Sequence, residues 1–178
     1  GGWGEGGPLQ ELLERDGRPF VFSGSRASRW AMDKIATKMA AMSIGAPTPA
    51  AHVLDVRDDA CPLPLPVIVK PIHEGSTVGL HVVRTEDDWK RALKAVREEG
   101  TGPVSRRCYM VEAMVTGAGG GRARELTVGV LDGTALPVIE ITPASGLYDY
   151  EAKYHRNDTT YTLDPALPGG VEATVKQH

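Results

Sequence analysis

Residues 67 to 79 read V-I-V-K-P-I-H-E-G-S-T-V-G. Three β-branched residues lead to Lys70, and this run predicts a short strand that Pro71 ends, because proline cannot donate a ladder hydrogen bond. A polar loop with two glycines follows, and the apolar run 80–83 returns as a second strand. The stretch therefore predicts a β-hairpin with a lysine at the end of its first strand and a glycine-rich tip.

The tip of this hairpin has the chemistry of an anion site. Glycines let backbone N–H groups point at phosphate oxygens, the hydroxyls of Ser76 and Thr77 add donors, and Lys70 supplies a compact positive charge. An ordinary hairpin with a polar tip has the same pattern, and it is the commoner explanation of a lone glycine-rich turn. The choice between the two explanations depends on other residues of the chain.

Two carboxylates stand at the ends of other predicted strands. Glu112 ends one strand, and Glu125 opens the strand 125–131. An Asp-Gly pair, the dipeptide most typical of a two-residue hairpin, joins that strand to the strand 134–141. Two acids and a lysine at strand ends are suited to frame a nucleotide. Each carboxylate taken alone is explained equally well as a strand-end group in solvent.

Apolar residues at helical spacing predict amphipathic helices at 8–14, 28–44 and 85–99. Residues 85–88 resemble a capping box at the start of the last of these helices. We expect Ser28 to cap the second helix, and the stripe that includes Met39 and Met42 to lie in the core. Lys34 and Lys38 share one face of this helix, which spacing alone explains as well by a solvated basic surface. Short apolar runs predict further strands, at 19–22 and 49–54.

The segment 148–154 reads Y-D-Y-E-A-K-Y and is polar and aromatic at once. This composition suits a lid loop that packs over a ligand and excludes water during reaction. The glycine-rich run 116–124 predicts a mobile surface loop, in which Arg122 and Arg124 are expected to be solvated. Residues 168–178 have the pattern of the start of a helix.

Composition indicates a soluble globular chain with a real core. The 178 residues are 41% hydrophobic, and the formal net charge is -3. This balance gives no general attraction to nucleic acid or to anionic membrane. No run of 18 apolar residues and no leader pattern is present, so we expect no membrane partner and a cytoplasmic location. Cys61 and Cys108 are too few and too far apart to predict a disulfide framework or a zinc site.

The order K-P-x-x-E-G-S-T-V-G, then V-E, then E-L-T-V-G resembles the ATP-grasp family, and more closely its D-alanine–D-alanine ligases. The resemblance covers nearly the whole chain. Four further stretches are similar to that ligase family: G-E-G-G-P-L-Q-E-L-L-E (Gly4 to Glu14), A-M-D-K-I-A-T-K (Ala31 to Lys38), L-P-V-I-E-I (Leu136 to Ile141) and Y-D-Y-E-A-K-Y (Tyr148 to Tyr154).

The resemblance implies an α+β (α/β) chain with the ATP-grasp fold, in which two α+β subdomains hold the nucleotide between them. It divides the chain into the end of an N-terminal α/β domain (1–27), the first subdomain (28–115) and the start of the second (116–178). The chain would then be an internal fragment of a longer protein.

The resemblance also implies a set of site residues. Ser76 and Tyr154 would be catalytic, in a hydrogen-bond network with a glutamate of the N-terminal domain. A tyrosine at the latter position favours the dipeptide reaction over one with D-lactate. The residues expected to bind ATP are Lys34, Lys70, Glu74, Gly75, Ser76, Thr77, Glu112, Ala113, Val115, Glu125, Tyr148 and Lys153.

Within this set the resemblance implies separate roles. The lysines at positions 34, 70 and 153 would contact phosphate oxygens. Glu112 and the backbone of Ala113 and Val115 would read adenine, and Glu125 would bind ribose. The magnesium ligands of the family would lie beyond His178, and neither His73 nor Glu74 is expected to replace them.

The implied reaction joins two D-alanines through an acyl phosphate, uses ATP with Mg²⁺ or Mn²⁺, and serves peptidoglycan precursor synthesis. The whole protein is expected to be an enzyme, with a homodimer as one expected state, and the 178 residues alone are expected to be inactive. Two alternatives stay open. One is another ATP-grasp carboxylate–amine ligase, and the other is a non-catalytic nucleotide-binding module.

Overall fold

A computed structural model describes residues 3–99 and 107–177 of the chain. These residues belong to two compact units, Gly1–Met114 and Val115–His178. Both units combine helices with antiparallel sheets, which agrees with the predicted α+β class. The three-part division predicted from the sequence stays a prediction.

The described part of the first unit contains four helices and four strands. In chain order they are α1 (Pro8–Arg15), α2 (Ser25–Met32), α3 (Lys34–Ser43), β1 (Ala51–Val53), β2 (Val67–Pro71), β3 (His81–Val83), α4 (Glu86–Glu99) and β4 (Tyr109–Ala113). The strands form one antiparallel sheet in the order β1-β4-β2-β3.

The predicted hairpin is confirmed as β2 and β3, which pair Val67 with Val83. Pro71 ends the first strand, as predicted. It is the last residue of β2 and lies opposite Tyr109 of β4. Its missing N–H is tolerated there because the end of a strand is where proline is accommodated in a sheet.

The core of the first unit forms where α4 packs on the sheet. A capping box begins this helix, as predicted, since the Thr85 N–H donates to the Asp88 carboxylate (2.9 Å) and the Asp88 N–H donates to Thr85 Oγ1 (3.2 Å). Trp89 is buried on the predicted stripe, and its indole N–H donates to the Asp59 carbonyl (2.6 Å). The main cluster of buried apolar residues comprises Leu54, Val67, Val69, Val83, Trp89, Ala92, Leu93, Val96, Tyr109 and Val111.

The helix predicted over 28–44 is wrong as a single element, because the chain divides it into α2 and α3 at Asp33. Asp33 has extended backbone angles (φ -86°, ψ 109°), and its carboxylate accepts from the Ile35 N–H (2.8 Å) and the Ala36 N–H (3.0 Å). It therefore caps a new helix, while α2 begins at Ser25 rather than at the predicted Ser28 cap.

The predicted core role of the methionine stripe on α3 is also wrong in the described structure. Met39 is 62% exposed and Met42 is 59% exposed. Helical periodicity gives one apolar face, but it does not say whether another element covers that face.

The strand predicted at 19–22 is absent from the described elements, and Val21 is 91% exposed. Apolar residues in a run of four do not distinguish a strand from an exposed connection when no partner strand is adjacent. The strand predicted at 49–54 is present in shortened form as β1.

The described part of the second unit has a three-stranded antiparallel sheet in the order β5-β6-β7 and two helices. The elements are β5 (Glu125–Leu131), β6 (Thr134–Pro143), α5 (Tyr150–Tyr154), β7 (Thr159–Leu163) and α6 (Val171–Gln177). Asp132 (φ 49°) and Gly133 (φ 74°) form the predicted two-residue turn between the first two strands. Strand β7 was not predicted from the sequence.

Two predicted loops of this unit contain short helical turns. The expected lid loop 148–154 includes α5, which Asp149 caps by accepting from the Ala152 N–H (2.8 Å). A 3-10 turn at Ala118–Gly120 interrupts the glycine-rich run. The predicted C-terminal helix is present as α6, and His178 lies outside the described residues.

Candidate functional site

Lys34 sits where the start of α3 meets the loop after β2. Its ammonium donates to the carbonyl oxygens of Ile72 (3.3 Å) and Glu74. Its backbone N–H also donates to the Ile72 carbonyl (3.2 Å). Burial, followed by the positive charge of Lys70, lowers the pKa of Lys34 below its ordinary value. The lysines predicted at positions 34 and 70 thus share one partly buried region of the first unit.

Glu112 lies between two lysines in this region. Its Oε1 accepts from Lys38 Nζ (2.5 Å), and its Oε2 accepts from Lys70 Nζ. The side chains of Glu112 and Lys38 are each 13% exposed, and that of Lys70 is 21% exposed. Burial opposes ionisation of this carboxylate, but the hydrogen bonds from the two lysines outweigh burial and lower the pKa of Glu112.

Strand register explains how Lys70 reaches Glu112. In the pairing of β2 with β4, Lys70 lies opposite Met110, and Glu112 lies opposite Ile68. Lys70 and Glu112 are therefore diagonal neighbours, which a long side chain spans. The predicted strand-end carboxylate is thus a partly buried ion-pair partner in this structure rather than a group in open solvent.

Lys38 is a residue whose role helical spacing alone does not decide. Spacing placed it on one face of a helix with Lys34 and explained it as well by a solvated surface. In the structure its ammonium also donates to Thr48 Oγ1 and to the Pro49 carbonyl (2.6 Å). The sequence contains no local signal for this arrangement, because Glu112 is 74 residues away.

The loop between β2 and β3 has an unusual backbone at the predicted phosphate-binding residues. Ser76 (φ 52°) and Thr77 (φ 65°) both adopt left-handed angles that non-glycine residues rarely occupy. Such backbone outliers cost on the order of 1–3 kcal/mol each and concentrate at ligand-binding sites. The turn closes through the Val78 N–H, which donates to the Gly75 carbonyl (3.1 Å).

Glu74 is held through both its backbone and its side chain. Its carbonyl accepts from Lys34, while its carboxylate Oε1 accepts from Arg107 Nε (3.1 Å). Arg107 also donates to Glu99 (2.9 Å), and the Tyr109 hydroxyl donates to the same carboxylate (2.6 Å). Burial, and then the Glu99 carboxylate, raises the pKa of Tyr109 to about 12.

His73 contacts the residue that caps α3. Its Nε2 lies 3.2 Å from Asp33 Oδ2. Across residues 3–99 and 107–177, no three His, Cys, Asp or Glu side chains are grouped to hold a metal ion.

In the second unit, the predicted residues Tyr148, Lys153, Tyr154 and Glu125 form a second group. The Tyr148 and Tyr161 hydroxyls are 2.7 Å apart, and Lys153 Nζ lies 5.2 Å from the centroid of the Tyr148 ring. The hydrogen bond with Tyr161 is the main cause that raises the pKa of Tyr148, to which the charges of Glu125 and Tyr154 also contribute. These side chains are therefore within electrostatic range of one another.

The remaining predicted residues lie next to the boundary between the units or in the hairpin tip. The Ala113 N–H donates to the Ala50 carbonyl (2.9 Å), and the Val115 side chain is exposed. Gly75 has open space around its α-carbon. The assignment of any of these residues to ATP stays a prediction.

The two loop arginines donate hydrogen bonds within the protein, whereas the sequence predicted that both would be solvated. Arg124 donates twice to Glu140 (2.7 and 2.6 Å) and once to the Ala166 carbonyl (2.9 Å). Arg122 donates to the Pro143 carbonyl (3.1 Å).

Comparison with known proteins shows the family of this chain. Residues 54–178 match the family model described as D-ala D-ala ligase C-terminus. The chain belongs to the D-alanine–D-alanine ligase family. The ligase of Bordetella pertussis is 42% identical over 177 residues, and that of Syntrophotalea carbinolica is 40% identical over 171 residues. Each match covers 94% of this chain and 52% of the relative, so the chain spans about half the length of these curated relatives.

Solved structures of this family share the fold. A D-alanine–D-alanine ligase structure from Bacillus anthracis has 30% sequence identity and a TM-score of 0.75, and covers 99% of this chain and 56% of its own. A structure of the Bacillus anthracis ligase in complex with ATP has 25% identity and a TM-score of 0.73, with 99% and 54% covered. The ATP-grasp fold expected from the sequence is therefore confirmed.

We predict that Gly79→Ala destabilises the chain by about 1–3 kcal/mol. Gly79 has φ +69°, and an added Cβ would lie 2.9 Å from Pro71 Cγ and 3.0 Å from the Tyr109 hydroxyl. The control is Gly75→Ala, which meets no atom within 4 Å and is expected to change stability by less than about 0.5 kcal/mol. Urea denaturation measures both, and equal effects would contradict the prediction.

We predict that Glu112→Gln costs about 3–5 kcal/mol at neutral pH, because it leaves two partly buried lysines without their carboxylate. The pKa of Glu112 is lowered in the fold, so its ionised form stabilises the chain above about pH 4.3, and this contribution is lost as the pH falls through the folded pKa. The difference in unfolding free energy between wild type and variant should therefore narrow in acid.

The measurement is urea denaturation at a series of pH values from 7 to 3, with Glu98→Gln as the control. Glu98 is a solvent-exposed partner of Lys94 at 3.7 Å, so its replacement should have a small effect at every pH. A gap between wild type and Glu112→Gln that stays constant down to pH 3 would count against ionisation as its source.

Proposed function

We propose that this chain supplies ATP-binding residues of an enzyme that joins two D-alanines to D-alanyl-D-alanine and forms ADP. The observation that carries the proposal is the convergence of Lys34 and Lys70 beside the hairpin tip, with Glu112 accepting from Lys70. Two partly buried ammonium groups and one carboxylate leave an excess of positive charge, which is the charge that phosphate oxygens require. Membership of the ligase family supports D-alanine as the substrate.

The proposed chemistry needs no nucleophile from the protein. A carboxylate oxygen of the first D-alanine attacks the γ-phosphorus of ATP, and the bond from that phosphorus to ADP breaks. The amine of the second D-alanine then attacks the acyl carbon, loses a proton and displaces phosphate. The protein positions these groups and neutralises charge.

We assign the residues to this chemistry from their matches to the family's motifs and, in the first unit, also from their contacts. Lys34 and Lys70 hold phosphate oxygens, and Ser76 belongs to a loop whose left-handed backbone is consistent with anion binding. In the second unit, the Lys153 ammonium contacts phosphate oxygens and Tyr154 orients the substrate. The remaining proposed contacts with ATP involve Glu74, Gly75, Thr77, Glu112, Ala113, Val115, Glu125 and Tyr148.

Magnesium or manganese is proposed to accompany ATP and to neutralise phosphate charge. The described residues offer no grouped carboxylates to hold it, and no step is assigned to it. None of the described helices is long and apolar enough to cross a membrane. We place the whole enzyme in the cytoplasm, in peptidoglycan precursor and cell-wall synthesis, with a homodimer as its proposed state.

We predict that Lys70→Met weakens ATP binding by about ten- to a hundredfold, because a charged hydrogen bond to phosphate contributes about 1.5–3 kcal/mol. Isothermal titration calorimetry of the chain with ATP and magnesium gives the Kd. Lys94→Met is the matched control, since Lys94 is an exposed residue of α4 and its loss should leave the Kd unchanged. ATP binding of equal strength in all three proteins would refute the assignment of Lys70.

We also predict that the 178-residue chain binds ATP without making D-alanyl-D-alanine, because it spans about half the length of its ligase relatives. The purified chain is incubated with D-alanine, ATP and magnesium, and the dipeptide is measured by mass spectrometry. A relative from Bordetella pertussis serves as the active control. Dipeptide above the enzyme-free background would contradict the prediction, and absence of ATP binding would contradict the proposed function itself.

A further inference from the structure

Lys38 differs from Lys34 and Lys70 in how its ammonium group is used. A lysine ammonium has three N–H donors. Those of Lys38 have three protein acceptors, namely Thr48 Oγ1, the Pro49 carbonyl and Glu112 Oε1. Its donors are therefore committed to the protein. A direct bond from Lys38 to a ligand would break one of these contacts.

Lys38 and Lys70 donate to the same carboxylate, that of Glu112. Each oxygen of the Glu112 carboxylate accepts from a different lysine, so Lys38 occupies Oε1 and leaves Oε2 to Lys70. Lys38 is at the middle of α3, whereas Lys70 and Glu112 are on neighbouring strands of the sheet. The carboxylate thus connects a helix to the strand that carries the proposed phosphate lysine.

The net charge around Glu112 also depends on the presence of Lys38. Two lysines share one carboxylate, so the triad of Lys38, Glu112 and Lys70 carries a net positive charge. Without Lys38, both carboxylate oxygens would be available to Lys70, and the pair would be neutral. Charged groups removed from water are costly unless they are paired, and apolar residues often replace such groups without loss of stability. We therefore interpret the charged triad as an arrangement that sets the position and the available charge of Lys70.

We propose that Lys38 is a positioning residue for ATP binding, which acts through Glu112 to fix the place and the available charge of Lys70. The inference rests on the proposed function, because it assigns a role within the same ATP site. Lys38 itself is not a catalytic residue, since its ammonium donates to the protein.

The test compares the binding of ATP with magnesium and the binding of adenosine to the chain, by calorimetry. Lys38→Met should raise the Kd for ATP by about five- to twentyfold, because Glu112 then pairs with Lys70 alone. The Kd for adenosine, which has no phosphate, should rise by a clearly smaller factor than the Kd for ATP, because Glu112 stays in place and the lysine that serves phosphate is the group displaced. Lys38→Arg retains the charge and should recover most of the ATP affinity. Lys90→Met, at an exposed position of α4, should bind like wild type.

Several outcomes separate this role from a purely structural one. Equal losses for ATP and adenosine in Lys38→Met would overturn the inference, as would an ATP affinity within twofold of wild type. Thr48→Val leaves every charge in place and removes one acceptor of Lys38. It should weaken ATP binding selectively by a smaller factor, and it decides the question if Lys38→Met fails to fold. Absence of ATP binding by the unsubstituted chain would overturn the proposed function as well.

Discussion

The first unit depends on the carboxylate of Glu112, which accepts hydrogen bonds from a helix lysine and a strand lysine at once. Charges at this degree of burial persist only when they are paired, and the direction of the Glu112 pKa shows that pairing outweighs burial here. The ion triad therefore ties α3 to the sheet by polar contacts, in a region where α3 contributes no buried residue of its own. Stability and the proposed phosphate chemistry share the same three side chains.

The break at Asp33 has a comparable double role. The carboxylate that begins α3 also accepts from the N–H groups of its first turn and lies beside His73. Because the helix begins at this point, Lys34 is its first residue and reaches the carbonyl groups of the loop after β2. A helix running continuously through Asp33 would not start at Lys34, so this cap determines where the lysine is presented.

Features with a local cause were predictable from the sequence. The β2 hairpin, the capping box before α4 and the Asp-Gly turn each depend on residues a few positions apart, and all three were found. The break at Asp33 was missed because both halves keep the same helical spacing. Strand β7 was missed although its T-T-Y-T-L sequence is rich in the β-branched and aromatic residues that favour strands.

Candidate site residues could be proposed from the sequence as residue types, but their contacts could not be predicted. Lys34, Lys70 and Glu112 were identified from their places in the motifs, whereas the pairing of Glu112 with Lys38 joins positions 74 residues apart. The prediction that the methionine stripe of α3 is buried was wrong for a related reason. Spacing defines which residues share a helix face, but only the tertiary arrangement determines what lies against that face.

The two sheets differ at their edges in a way that bears on self-association. In the first unit both edge strands, β1 and β3, are only three residues long, and such short edges offer few free backbone groups to another chain. In the second unit the edge strands β5 and β7 are longer and expose apolar side chains at Val130, Leu131 and Leu163. Among the described edge strands, β5 and β7 therefore offer the longer rows of backbone groups to a strand from another molecule.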